Sequence, residues 1–315
     1  MATELSTREA YGQTLQKLGK ERKDIIVLDA DLSKSTMTNL FAKAFPDRFF
    51  DCGIAEQNMM DIAAGLASCG KTVFASTFAV FAGGRCFDQV RMCIAQPQHN
   101  VKIVASHGGV SVGQDGMSHQ SIEDLALMTI FPGMTVIVPA DALEAAQAVE
   151  TAAATPGPFY IRMGRPKVPQ VCPDDYRFAL GKAATMRPGK DVTIIAMGIM
   201  VASAIKAAQK LAGEGIDCRV LNMATLKPID REAIILAAQE TRGIVSAEEH
   251  LKHGGLGSAI AEILVEAHPA RMVSIGLHDR FAESGNPDEL LKKYGLASED
   301  IEGAVRKIME RRGQS

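Results

Sequence analysis

Residues able to do chemistry fall in a few short stretches. In Gly53-Ile54-Ala55-Glu56-Gln57-Asn58-Met59, a carboxylate stands where a short Phe49-Phe50 strand would hand over to a helix marked by Met59, Ile62, Ala63 and Leu66. A carboxylate in a first helical turn can simply complement the helix dipole. Ile54, Ala55 and Met59 point instead to a dry setting, where a carboxyl resists ionising and can share or donate a proton. The stretch Gly113-Gln114-Asp115-Gly116-Met117-Ser118-His119-Gln120 sets Asp115 and His119 four apart on a glycine-containing loop. It can be an Asp-initiated turn leading into a helix cap. Together with His107 it also gathers two imidazoles and a carboxylate, which suit the hydroxyls and phosphate of a sugar phosphate. The spacing matches no metal-ligand signature, so no metal site is expected. Phe78 and Phe81 lie three apart, at helical spacing, beyond the run Thr72-Val73-Phe74-Ala75. They serve either as core or as a platform for a flat ring, with stacking worth about 0.5–1.5 kcal/mol.

These residues need elements to hold them. Ser6-Thr7-Arg8-Glu9 is a capping box, followed at helical spacing by Tyr11, Leu15 and Leu18. Ile25 to Leu28 is a continuous apolar run, as a parallel strand buried on both faces requires, and it ends in Asp29-Ala30-Asp31. The rhythm repeats with strands at 102–106, 135–138 and 159–161 and helices at 121–128 and 142–153, the last capped by Asp141 with Glu144 closing a second box. Strand–helix alternation over 160 residues predicts a doubly wound α/β sheet. In such sheets ligands collect beyond the carboxyl ends of the strands. Asp29 and Asp31, Ser76 and Thr77, His107, and Arg162 and Arg165 all fall there. Four prolines between Arg165 and Lys190 mark a linker. Alternation then resumes, with strands at 192–196, 218–221, 244–247 and 272–275 and helices at 201–212, 231–239, 257–267 and 288–294. The expectation is two doubly wound α/β domains, 1–168 and 191–315, joined by a 169–190 linker. A charged helix from Glu299 to about Arg311 would close the chain, its charges through Arg312 facing solvent.

Length and composition narrow the function. At roughly 150 residues per domain, 315 residues give two domains with full cores. A net charge of −3 leaves no basic field for nucleic acid or anionic lipid. The longest nearly apolar stretch, 192–205, falls short of the ~20 residues that span a bilayer. The first residues carry Glu4, Arg8 and Glu9 with no apolar signal region. Six cysteines without a C-x-x-C pair read as reduced thiols of a cytoplasmic protein.

With these motifs in place, the chain resembles the carboxyl-terminal half of transketolase, that is, the pyrimidine-binding domain of a thiamine-diphosphate enzyme plus its smaller carboxyl-terminal domain. Asp29-Ala30-Asp31-Leu32, the Glu56 stretch, Ser76-Thr77-Phe78 and the Asp115 loop carry the resemblance in the right order, and it continues more loosely to about residue 310. The resemblance implies that Glu56 hydrogen-bonds the aminopyrimidine ring nitrogen, with the carbanion chemistry belonging to the cofactor. It implies Phe81 stacked on the pyrimidine, Phe78 and Ile54 lining that pocket, and Asp31 near the thiazolium side. Asp115 and His119 would meet donor oxygens. His107, Ser35 and Arg165 would surround the acceptor phosphate, Arg165 by its two-pronged donor geometry.

Family members hold Mg²⁺ (or Ca²⁺) and the diphosphate through a Gly-Asp-Gly motif followed by Asn in a separate domain. No Gly-Asp-Gly occurs here, and the chain opens directly on the pyrimidine domain. The resemblance therefore implies one subunit of a split transketolase, acting on sugar phosphates with an amino-terminal partner in an α2β2 assembly. Alternatives are half of a 1-deoxy-D-xylulose-5-phosphate synthase, which tends to carry an acid at the place of His107, and a 2-oxo acid dehydrogenase β subunit, which usually lacks Asp115. A non-catalytic scaffold homologue is the third. Gly254-Gly255-Leu256-Gly257-Ser258 has the form of a phosphate nest but fits no nucleotide fingerprint, so close packing or an interface is expected. Glu248, Glu249, His250 and His253 are expected to form a hydrogen-bonded interface cluster rather than a metal site.

Overall fold

The computed structural model describes residues 5–310; the sequence expectations for Glu4 and for Arg311 and Arg312 lie outside the described residues. Two twisted sheets organise the chain. The first has seven strands in the spatial order Thr225–Lys227, Thr135–Ile137, Phe159–Arg162, Val101–Ser106, Thr72–Phe78, Ile25–Asp29 and Phe49–Asp51. All neighbours pair in parallel except Thr225–Lys227. The second runs Met272–Leu277, Ile244–Leu251, Val192–Ala196, Cys218–Asn222 and Ala184–Arg187, antiparallel only at the last pair.

Strand alternation explains why both faces of the first sheet are covered. Ile25, Val27, Phe74 and Ile161 pack under the helices Thr7–Glu21 and Ala142–Ala154. Ile26, Leu28, Val73 and Tyr160 share the opposite core with Met59 and Ala63 of the helix Glu56–Ser68. That core continues without a break into Ile195, Leu221, Ile234 and Ile260 beyond residue 190. The Ser6–Glu9 capping box forms, with Ser6 N–H donating to Glu9 at 2.9 Å.

Several elements differ from the sequence expectation. Ala184–Arg187 lies inside the segment read as linker yet pairs with Cys218–Asn222; its Ala-Thr-Met-Arg composition carries no apolar run to announce it. Lys167–Val168 pairs antiparallel with Leu5–Ser6. Thr225–Lys227, unmarked in the sequence, crosses back to the edge of the first sheet. The helix expected from Ser121 begins at Asp124, because the Ser121 carbonyl is taken by Gly109 N–H and Arg162. Glu144 does reach back over its helix start, but to Ala140 N–H rather than to the Asp141 cap. Among the described residues no helix is long and apolar enough to cross a membrane.

Candidate active site

The strand Ile25–Asp29 has neighbours reached by connections in opposite directions, with Phe49–Asp51 on one side and Thr72–Phe78 on the other. This is a topological switch point, and the crevice beyond its strand ends is where ligands settle in such sheets. The candidate residues gather around it.

Glu56 is the first residue of its helix and only 4% exposed. Arg85, half exposed, donates to its Oε1 at 2.6 Å. The same guanidinium lies 4.1 Å from the centroid of the Phe81 ring. The expected dry setting is met on one side only: Met59 is fully buried, whereas Ile54 is 76% exposed on the loop before the helix. Cys86 is buried nearby; burial, then the Glu56 carboxylate, push its thiol up to about 12.

Phe78 and Phe81 do not share a helix. Thr77 and Phe78 pair with Ala105 and Ser106, so Phe78 ends a strand, and Phe81 opens a π-helical turn, Phe81–Arg85. Their rings still lie nearly parallel, 14° apart with centroids at 5.8 Å. His107 stacks on Phe78 at 3.8 Å, and His119 stands edge-on to both phenyl rings at 6.1 and 5.4 Å. The result is an aromatic shelf between a buried carboxylate and two imidazoles.

His107 holds a left-handed backbone, φ 61°, costly for a residue with a side chain. Ser106 Oγ lies 2.9 Å from its Nδ1. Burial, then the cations Arg8 and Arg165 and finally His119, push its pKa down to about 3. The ring is therefore neutral near pH 7. Arg165 donates to the Val112 carbonyl at 2.7 Å and to Gln114 at 3.1 Å. Arg8 donates to the Ser35 carbonyl at 2.7 Å; burial, with Arg165 adding to it, lowers its pKa. Asp31, with φ 62°, and Asp115 are exposed at the ends of their strands and loops. Asp51 Oδ1 accepts from both Asp31 N–H and Gly53 N–H, fastening the Asp31 loop to the Glu56 approach.

The structure thus brings Glu56, Phe78, Phe81, His107 and His119 together, and sets Ser35 and Arg165 near His107 through Arg8. Ile54, Asp31 and Asp115 lie at the rim. Sequence reasoning missed Arg8 and Arg85. Arg8 left a signal, since a cation in a first helical turn opposes the dipole and calls for another partner. Arg85 left one too, since it stands four residues after Phe81, a spacing that puts two side chains on one face of a helical turn.

The donor set fits an aminopyrimidine. A planar nitrogen cation already lies on Phe81 while bonding to Glu56, the same pairing of ring face and carboxylate that a planar amino-heterocycle requires. Elsewhere, Gly254–Ser258 packs closely as expected: Glu248 accepts from Leu256 and Gly257 N–H, both at 2.8 Å, and fills the helix start. Glu249 and His250 are buried and accept from Ser111 and Ala126 N–H of the first domain, Glu248 is buried against the helix start that it fills, and His253, expected in the same cluster, is exposed instead; Asp141 caps its helix and also accepts from Val171 and Cys172 N–H.

The family model for the transketolase pyrimidine-binding domain matches residues 3–170, and that for the transketolase C-terminal domain matches 181–301. A solved structure described as a split-gene transketolase in an inactive β4 tetramer is 54% identical. It superposes with a TM-score of 0.91, covering 97% of this chain and 98% of that one. A chain of Methanocaldococcus jannaschii described as a transketolase C-terminal section is 45% identical over 96% of this chain and 95% of its own length. One of the subunits of the apulose-4-phosphate transketolase of Phocaeicola vulgatus is 42% identical, over 94% and 95%. Human transketolase is 42% identical over 97% of this chain, which spans 49% of that protein. The chain belongs to the transketolase family. It corresponds to the part that carries the pyrimidine-binding and carboxyl-terminal domains, and the synthase and dehydrogenase alternatives are not favoured.

Proposed function

We propose that this chain is the carboxyl-terminal subunit of a two-chain transketolase, moving a two-carbon ketol unit from a ketose phosphate to an aldose phosphate. The observation that carries this reading is the buried Glu56 carboxylate beside the Phe78–Phe81 shelf at the switch point. Thiamine diphosphate, on which the family depends, would supply an acidic ring carbon and an electron sink when bound. Glu56 would hold the pyrimidine ring nitrogen and place its proton, and Phe81 with Phe78 would orient the ring. Ile54 and Asp31 would line the cofactor's rim. Asp115 and His119 would bind the donor's hydroxyls. Arg8 and Arg165 would carry the charge of a sugar phosphate, with neutral His107 and Ser35 adding hydrogen bonds.

The diphosphate and its Mg²⁺ (or Ca²⁺) would be held by an amino-terminal partner in an α2β2 assembly. Relatives of this chain's own length that are described as a section or a subunit, and a half-length match to the single-chain enzyme, support that division. So does the description of the 54% identical β4 tetramer as inactive.

The test is co-expression with the neighbouring reading frame, then an assay with thiamine diphosphate, Mg²⁺, xylulose 5-phosphate and ribose 5-phosphate. Pyruvate with glyceraldehyde 3-phosphate is run alongside. Glu56→Gln keeps the side chain's shape but loses its proton-sharing oxygen, so ketol transfer should fall by a factor of about 100 or more while the fold survives. Near-normal turnover in that variant would remove Glu56 from the mechanism.

A further inference from the structure

The loop from His107 to Gln120 has two walls, and the second one is built by the other domain. Its glycines show this. A Cβ on Gly109 (φ 83°) would collide with the Glu249 carboxyl group. One on Gly116 (φ 74°) would lie 2.5 Å from Ser284 Oγ, and one on Gly113 (φ 83°) would lie 3.0 Å from Pro287. Three left-handed glycines thus open onto three groups beyond residue 240; the backbone conformation favours glycine at all three, and at Gly109 and Gly116 a Cβ would also force the facing side chain to move.

Hydrogen bonds follow the same division. Glu249, buried near the end of the strand Ile244–Leu251, accepts from Ser111 N–H at 2.5 Å. Arg162 fastens the strand to the loop by donating to the Glu249 carbonyl at 3.0 Å and the Ser121 carbonyl at 2.9 Å. At the loop's far end Ser284 Oγ donates to the Gln114 carbonyl at 2.9 Å. Gln120 donates to the Glu283 carbonyl at 3.0 Å. A buried carboxylate that spends an oxygen on one backbone amide of a loop fixes where that loop begins.

We propose that Glu249, seconded by Ser284, is a positioning residue: it sets the 107–120 loop from the carboxyl-terminal domain so that His107, Asp115 and His119 present their polar atoms to the sugar. This rests on the transketolase reading of that loop. It gives the second domain, which contributes no group to the aromatic shelf, a task in sugar binding. A reacting group displaced by an ångström can cost on the order of 100-fold in rate, so fixing the loop's start matters to the chemistry.

The experiment compares wild type, Glu249→Ala, Glu249→Gln and Ser284→Ala by two readouts. The first is hydrogen exchange of residues 110–120 in this chain alone, which needs no turnover. The second is steady-state kinetics of the two-chain enzyme, with the KM for xylulose 5-phosphate and for thiamine diphosphate measured separately. Glu249→Ala should speed exchange across 110–120 and lower kcat/KM for the ketose by about tenfold, with the thiamine diphosphate KM held within about twofold. Glu249→Gln should restore both, because its amide oxygen still accepts from Ser111 N–H. Ser284→Ala, at an exposed position that tolerates change, should speed exchange at 113–118 and cost the ketose a smaller factor. Unchanged exchange in the Ala variants would overturn the proposal. So would faster exchange with unaltered ketose kinetics, or a loss shared equally by ketose and cofactor and not recovered by Gln. Absence of ketol transfer in the wild-type pair would instead refute the functional reading, and the exchange result would still decide whether Glu249 sets the loop.

Discussion

Burying a carboxylate costs several kcal/mol unless charge or hydrogen bonds compensate, and at Glu56 the compensation comes from Arg85, 29 residues on. The same accounting applies at His107. Burial and two guanidiniums leave its imidazole neutral, so a phosphate there would draw its charge balance from Arg8 and Arg165 while His107 offers an N–H. Arg165→Ala should therefore raise the KM for phosphorylated acceptors by about ten- to hundredfold, the worth of a charge-assisted hydrogen bond. The KM for unphosphorylated aldoses should move little; equal effects on both would show that Arg165 does not meet the phosphate. Residue types and spacing made Glu56, Phe78, Phe81, His107 and His119 legible, because each follows a recognisable strand or opens a helix. The bond from Arg85 to Glu56 and the exposure of Ile54 were illegible, since both depend on tertiary placement that no periodicity encodes.

The loop after Ile25–Asp29 shows how an element carries a site. Asp29 is fully buried and accepts from Thr36 and Thr38 hydroxyls at 2.6 and 2.8 Å and from Leu32 N–H at 2.6 Å, folding residues 29–38 into the turn that presents Asp31 and Ser35. Burial outweighs these three bonds, and with Asp51 adding to it the Asp29 pKa rises to about 6 from its ordinary 3.8. Between those two values the folded chain keeps a proton that the unfolded chain has lost. This group's contribution to stability therefore falls as pH rises from about 4 to 6 and is level above that. Relative to Asp29→Asn, wild type should lose up to about 3 kcal/mol across that window, at ~1.4 kcal/mol per pKa unit. Urea melts of both proteins from pH 4 to 7 measure it, and a pH-independent difference would contradict it. Elements of this kind were readable where four apolar residues fell within a run of four or five, as in Ile25–Leu28 or Val192–Ala196. Thr225–Lys227 and Ala184–Arg187 were hidden, because strands of three or four mixed residues are recruited by a neighbouring edge rather than by their own pattern.

At the scale of the whole chain, the two sheets share one of their cores. Met128, Phe131 and Val136 pack in the same core as Leu226, Ile234 and Ile260, and Thr225–Lys227 completes the first sheet from beyond the linker. Polar ties cross as well. Asn222 donates to both Glu144 oxygens at 2.8 and 3.0 Å, and Lys227 donates to the Thr129 and Phe131 carbonyls at 2.7 and 2.6 Å. Pulling the second domain away would expose an apolar face and take Asn222 from the buried Glu144 carboxylate, at about 1–3 kcal/mol for each group left unsatisfied. Calorimetry of this chain should accordingly show one unfolding transition, with the calorimetric and van't Hoff enthalpies of the cooperative unit in agreement. Asn222→Leu should lower that single transition rather than split it, because Glu144 loses one of its three donor groups while the common core stays whole. Two resolved transitions in wild type would mean that the domains melt independently. The loop His107–Gln120 would then loosen in the first of those transitions, when Glu249 leaves it, while the sheet beneath stays folded.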